Sequence, residues 1–178
     1  MNTFTYHVGV PAEDAFFLLS GFSDPHYEEG VSWRNCSRVF RFHVPAAGSG
    51  ETRITLRMRF IHPSFRLDIR RADQALGTIA PAEAGWRDYT ITLPPTGPAA
   101  AGQLVTLIGE FDREPYDPPL PKVDPNRSFI DLSQVTAESA DGTDLVLPEN
   151  CRRKRTARLP IRIANCRRSE QKGRNPAD

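Results

Sequence analysis

The sequence is poor in cysteine, methionine and tryptophan, and it contains no long apolar run. Its three cysteines, Cys36, Cys151 and Cys166, form neither a C-x-x-C pair nor an even disulfide framework. That excludes a disulfide-stapled scaffold, argues against a zinc site, and points to reduced thiols in a cytoplasmic setting. No stretch approaches the roughly 18 consecutive apolar residues of a membrane-spanning helix. The opening MNTFTYHVGVPAEDAFFLL lacks a basic region followed by an apolar one, so neither a secretory signal nor a transmembrane segment is expected. The nucleophile elbow G-x-S-x-G, the phosphate-binding G-x-x-x-x-G-K-[ST], the dinucleotide fingerprint G-x-G-x-x-G and the zinc-protease H-E-x-x-H are all missing. The four histidines, His7, His26, His43 and His62, are scattered over separate segments. No catalytic group and no cofactor motif emerges.

What is present is a repeated period of two. With 178 residues, 16 prolines and 12 glycines, the chain is long enough for one domain with a sizeable core and too proline-rich for long helices. ETRITLRMRF, residues 51–60, alternates Ile54, Leu56, Met58 and Phe60 with Arg53, Arg57 and Arg59, the pattern of a strand with one face in a core and one in water. VFRFHV sets Phe40, Phe42 and Val44 against Val39, Arg41 and His43, and DYTITLP sets Tyr89, Ile91 and Leu93 against Thr90 and Thr92. LVTLIGEF at 104–111 is more continuously apolar, as in a central strand. SFIDLSQVTAES alternates at Ile130 and Leu132, then again at Val135 and Ala137; the change of phase predicts a β-bulge near Ser133 and Gln134. Turn chemistry separates these segments at 62–64, 93–102, 114–126 and 140–144, and only PAEDAFFLL reads as helix. Short strands with almost no helix indicate an antiparallel β-sandwich or barrel. A four-residue loop at 61–64 would join RITLRMRF to FRLDIR as a hairpin, with Arg57 opposite Asp68 and Arg59 opposite Arg66.

The net charge of +1 conceals an asymmetry. Residues 151–178 hold ten Lys or Arg and two acids, a net of +8, leaving −7 on residues 1–150. The division is a β-sandwich domain at 1–150 and a basic, largely flexible C-terminal tail at 151–178, too poor in large apolar groups to order itself. Within the tail, Leu159, Ile161 and Ile163 alternate as a short edge strand would.

GFSDPHYEEGVSWR, RFHVP, LGTIAPAEAGWRDYTITLP and DPNRSFIDLSQVTAE, in that order, resemble the jelly-roll, galactose-binding-like accessory domains attached to bacterial glycosyltransferases and other glycan-related proteins. The likeness covers roughly residues 15–140 and implies an all-β sandwich that recognises carbohydrate. The basic tail and the lack of an attached catalytic domain depart from that pattern.

Candidate ligand-binding residues are Trp33 and Trp86, whose flat rings suit the C–H faces of sugars, with Arg34 and Arg87 beside them and Arg41, Arg59 and Arg66 as a cationic patch. Both indoles read more readily as core or core-rim residues, and the arginines as splayed, edge-shielding side chains. Glu28 and Glu29 beside Gly30 are candidate Ca2+ ligands or a solvated acidic loop. Cys36 reads as an inert thiol, and Asp112, Glu114, Asp117 and Asp124 as solvated loop acids, with glycoside hydrolysis as the remote alternative. The expectation is a non-catalytic recognition module for carbohydrate or a glycan-handling partner protein. The alternative is an interaction protein whose basic tail binds a polyanion such as nucleic acid or an anionic membrane surface; a glycan-active hydrolase comes third.

Overall fold

A computed structural model of the chain describes residues 3–61, 65–81, 84–97, 104–111, 129–142 and 145. Strand β1 (Thr3–His7) leads into helix α1 (Pro11–Phe17), with Pro11 in the first turn, where a missing N–H costs nothing. Then follow β2 (Leu18–Glu28), β3 (Val31–Pro45), β4 (Thr52–Phe60), β5 (Leu67–Arg71), β6 (Gln74–Ile79), β7 (Arg87–Leu93), β8 (Leu104–Phe111) and β9 (Ile130–Ser139). Every pairing is antiparallel, in the order β6-β5-β8-β3-β9-β4-β7, with β1 also on β9 and β2 also on β3.

The long strand β3 serves both layers. Its second half, Val39–Pro45, pairs with β8, while Arg34–Cys36 pairs with β9. One layer is therefore β6-β5-β8 with the end of β3, and the other is the start of β3 with β9, β4 and β7. The layers meet across the core, where Phe60 of β4 lies edge-on to Phe111 of β8 at 6.4 Å and Phe129 stacks on Phe111 at 5.0 Å. Phe40, Phe42, Ile54, Leu56, Met58, Leu67, Ile69, Leu107 and Leu132 are all fully buried between them, each side chain stabilising the fold by roughly 1.5–3 kcal/mol relative to exposure. The antiparallel sandwich expected from the alternations is the architecture observed. Val39, Arg41 and His43 turn away from the core as the period requires, and β8 lies inside its layer between β5 and β3. The bulge also falls where the phase changes: Arg57 pairs with Gln134 but Met58 with Leu132, leaving Ser133 as the extra residue.

Three expectations are corrected. First, β4 and β5 form no hairpin, for β4 lies between β9 and β7 while β5 lies between β6 and β8. Arg57 faces Asp88 rather than Asp68, and Arg59 faces Asp131 rather than Arg66. An alternating strand satisfies its apolar face against any partner of matching period, so the pattern fixed the inner side without choosing the neighbour. Second, the acidic loop is only a two-residue turn: Glu29 and Gly30, with φ of 49° and 82°, the left-handed geometry of such turns, close the β2–β3 hairpin, and residues 18–28 before them are strand. Pro25 is tolerated there because β2 pairs with β3 alone among the described residues, and β2 carries three register shifts. Third, the helix ends at Phe17, earlier than its pattern suggested, since Leu18 and Leu19 already belong to β2. The segment 151–178, including Leu159, Ile161 and Ile163, lies outside the described residues, as do Asp112, Glu114, Asp117 and Asp124.

Candidate functional site

Strands β1, β9, β4 and β7 present their polar parity on the side away from the core, and the registers sort it into rows. Thr3, Glu138, Arg53 and Thr92 form one; Thr5, Thr136, Thr55 and Thr90 the next; His7, Gln134, Arg57 and Asp88 the third. Hydroxyl contacts link Thr5 to Thr136 at 3.0 Å and Thr55 to Thr90 at 3.2 Å, a cross-strand ladder typical of β-branched polar residues. Beyond the bulge, Asn35, Asp131 and Arg59 continue the face, and Trp86 stands just before β7. The arginines of β4 that alternate with the apolar residues are each matched by an acid on a neighbouring strand: Arg53 with Glu138 at 3.6 Å, Arg57 with Asp88 at 3.3 Å and Arg59 with Asp131 at 2.6 Å.

Three of the residues singled out in the sequence meet here. The Arg59 guanidinium lies 5.5 Å from the Trp33 ring and 5.0 Å from the Trp86 ring, and the two indoles are 6.0 Å apart at 64°. His26 of β2 stacks on Trp33 at 5.6 Å, so Trp33, only 9 % exposed, has no open ring face for a ligand. Trp86 is half-buried and Arg87 beside it exposed.

Next to this cluster a groove of about 470 Å³ opens between the β2–β3 hairpin tip and the third polar row. His7, Ser32, Arg57, Ser133 and Gln134 line it, and Tyr27, 75 % exposed, stands at its rim. The bulge builds this floor. The Ser133 carbonyl accepts the Val8 N–H at 2.8 Å and its hydroxyl donates to the Arg57 carbonyl at 3.2 Å, while the extra residue turns Gln134 outward. Tyr27, His7 and Gln134 were not binding candidates in the sequence; the signal that would have found Tyr27 is the Glu29-Gly30 turn that lifts it into solvent.

The remaining candidates lie elsewhere. Arg34, on the opposite parity of β3 from Trp33, pairs with Asp14 of α1 at 2.7 Å and donates to the Ser23 carbonyl. Arg41 sits opposite Ile108 of β8, within 3.5 Å of the Ser20 hydroxyl, and Arg66 is exposed ahead of β5. With Arg59 tied to Asp131 on the other layer, these three arginines do not share a patch. Glu28 and Glu29 are exposed at the hairpin tip. Ca2+ takes about six to eight oxygen ligands, and no group of three His, Cys, Asp or Glu suited to a metal stands together among the described residues. Cys36 is fully buried, and burial, with Asp131 adding to it, pushes its thiol well above the usual range, so it is inert. His43 is bound through Nδ1 to the Thr106 hydroxyl at 3.1 Å, and burial lowers its pKa. No helix among the described residues is long and apolar enough to cross a membrane.

No family model matches the chain, and no curated protein matches it. Among solved structures it is similar to the C-terminal CBM6 of a marine laminarinase from Zobellia galactanivorans, at 12 % identity and a TM-score of 0.49 over 77 % of this chain and 99 % of that one. It is similar also to the CBM36-1 domain of a multidomain xylanase from the hindgut metagenome of Trinervitermes trinervoides, at 12 % identity and a TM-score of 0.45, covering 78 % and 98 %. A third likeness is to the mosquito-larvicidal Cry4Aa toxin of Bacillus thuringiensis, at 10 % identity and a TM-score of 0.46 over 77 % of this chain and 23 % of the toxin.

Proposed function

We propose that the chain is a non-catalytic recognition module for carbohydrate and that it binds on the outward face of the β1-β9-β4-β7 layer. One observation carries this reading: the groove brings an exposed tyrosine ring and the planar polar side chains of His7, Gln134 and Arg57 into a single concavity. A sugar offers two kinds of surface, a C–H face that packs on an aromatic ring and a rim of hydroxyls that needs both donors and acceptors. Gln134 supplies an amide with both, Arg57 a guanidinium fork and His7 a ring with one of each when neutral. Convergent polar groups beside an aromatic wall are the usual composition of such sites. The two serine hydroxyls among its described lining residues are spent on backbone carbonyls, Ser32 donating to Val8 at 2.8 Å and Ser133 to Arg57 at 3.2 Å, which supports recognition rather than nucleophilic chemistry.

The test is a glycan array probed with the full chain, with Tyr27→Ala and Gln134→Ala in parallel. Binding by the parent, weakened about tenfold or more in each variant at an unchanged melting temperature, is the expected result, each position being a solvent-facing contact. A parent protein that captures no glycan, or variants that bind as well as the parent, would refute the reading.

A further inference from the structure

Asp131 is 3 % exposed although it belongs to the outward parity of β9, an expensive position for a carboxylate unless something is gained by it. Its Oδ2 accepts from Arg59 Nε at 2.8 Å and lies 2.6 Å from Arg59 Nη2, and its Oδ1 accepts from the Asn35 amide. These bonds hold a rigid, planar cation in one orientation. Its charged carbon lies 5.5 Å from the centroid of Trp33 and 5.0 Å from that of Trp86. The parts come from β9, β4, β3 and the turn before β7, where Gly85 takes a φ of 93°. Trp33 is buried and backed by His26, whereas Trp86 is half-buried.

We propose that Arg59, held by Asp131, is a positioning residue of the binding face: it acts as a wedge that sets the Trp86 ring and the Gly85-Trp86 turn beside the groove. This rests on reading that face as the carbohydrate surface. Burying the Asp131 carboxylate against a partly exposed arginine is a poor source of net stability, since well-packed apolar groups of similar volume do as well or better, but the pair fixes geometry. The guanidinium matters here for its flatness as much as its charge; lysine brings the charge without the planar face or the fork. Arg57, two residues earlier on the same strand and face, lines the groove, so the wedge stands next to the groove floor.

The test uses the full chain with Arg59→Lys and Asp131→Asn, each also in a Trp33→Phe background, so that the remaining tryptophan signal reports Trp86, the sequence having two tryptophans. Acrylamide quenching and near-ultraviolet circular dichroism read the ring, thermal melting reads stability, and the array glycan bound most strongly by the parent reads affinity. Both variants are expected to raise Trp86 quenching several-fold and to flatten the near-ultraviolet signal. With the ring and its turn released beside the groove, affinity should fall about tenfold, as expected when a binding face loses its preorganisation. Arg59→Lys should melt within a few degrees of the parent. Unchanged quenching and dichroism in Arg59→Lys would overturn the proposal, as would a released ring with undiminished affinity. Because the optical readouts need no ligand, a parent that binds no glycan would refute the recognition reading while the fate of the ring still decides whether Arg59 positions it.

Discussion

Removing the Asp14 carboxylate tests the link between the helix and the sheet. Asp14 is 6 % exposed, accepts the Gly9 N–H with both oxygens at 3.0 and 3.1 Å, and takes Arg34 Nε at 2.7 Å. Asp14→Ala leaves the Gly9 N–H and the inner guanidinium unpaired. Breaking a buried pair by deleting one partner costs about 3–5 kcal/mol. Because the Arg34 side chain is 18 % exposed and keeps the Ser23 carbonyl, about 2–4 kcal/mol is the appropriate range. Asp14→Asn retains an acceptor and loses the charge, at about 1–2 kcal/mol. At roughly 2–4 °C per kcal/mol for a domain of this size, the alanine variant should melt about 5–15 °C below the parent. Urea unfolding and thermal melts of both variants at neutral pH, with Asp24→Ala on the exposed hairpin as control, give the order. A variant Asp14→Ala within about 0.5 kcal/mol of that control would refute the reasoning, that being the scatter of ordinary surface changes. Adding Arg34→Leu to Asp14→Ala should restore part of the loss, because the orphaned cation is then gone.

Gly21→Ala should destabilise by well over the ~1 kcal/mol of an ordinary glycine substitution, since φ is 84° and a Cβ there would stand 2.2 Å from the Val39 carbonyl oxygen; a thermal melt matching the parent would contradict the packing. Burial holds the folded-state pKa of His43 below its unfolded value of about 6.5. Its contribution to stability is therefore complete above that pH and is lost as pH falls toward the folded value, so urea midpoints from pH 8 to 5 should fall less in His43→Gln than in the parent. The net +8 of residues 151–178 should give salt-sensitive retention on heparin that disappears in a chain ending at Asn150, and equal retention of the two at low salt would remove the tail from consideration.

The inner face of the sandwich was legible in the sequence because a period of two is a local property: Phe40, Phe42, Leu56, Ile91 and Leu93 were placed by their own neighbours. The bulge at Ser133 was equally local, a change of phase within one strand. Partner choice was not, since Met58 is buried as well against β9 and β7 as it would have been against β5. The site shared that difficulty. Trp33, Arg59 and Trp86 each stood out as residue types, but their convergence depends on the registers of β3, β9 and β4 together and on where the chain enters β7. Arg34 and Trp33 are adjacent in sequence and lie on opposite faces of one strand, so adjacency misled where parity would have separated them. Pro25 and the acids of β2 concealed a strand because edge strands carry such residues as protection against further pairing.

The pairing of each β4 arginine with an acid from the next strand has a kinetic consequence. Beyond a screening length of about 8 Å in physiological salt, Arg53–Glu138, Arg57–Asp88 and Arg59–Asp131 present dipoles rather than charges. A face of this kind does not steer a partner from a distance. If the face binds as proposed above, encounter there should hardly change with ionic strength, and selection among ligands should come after contact, in how long each one stays.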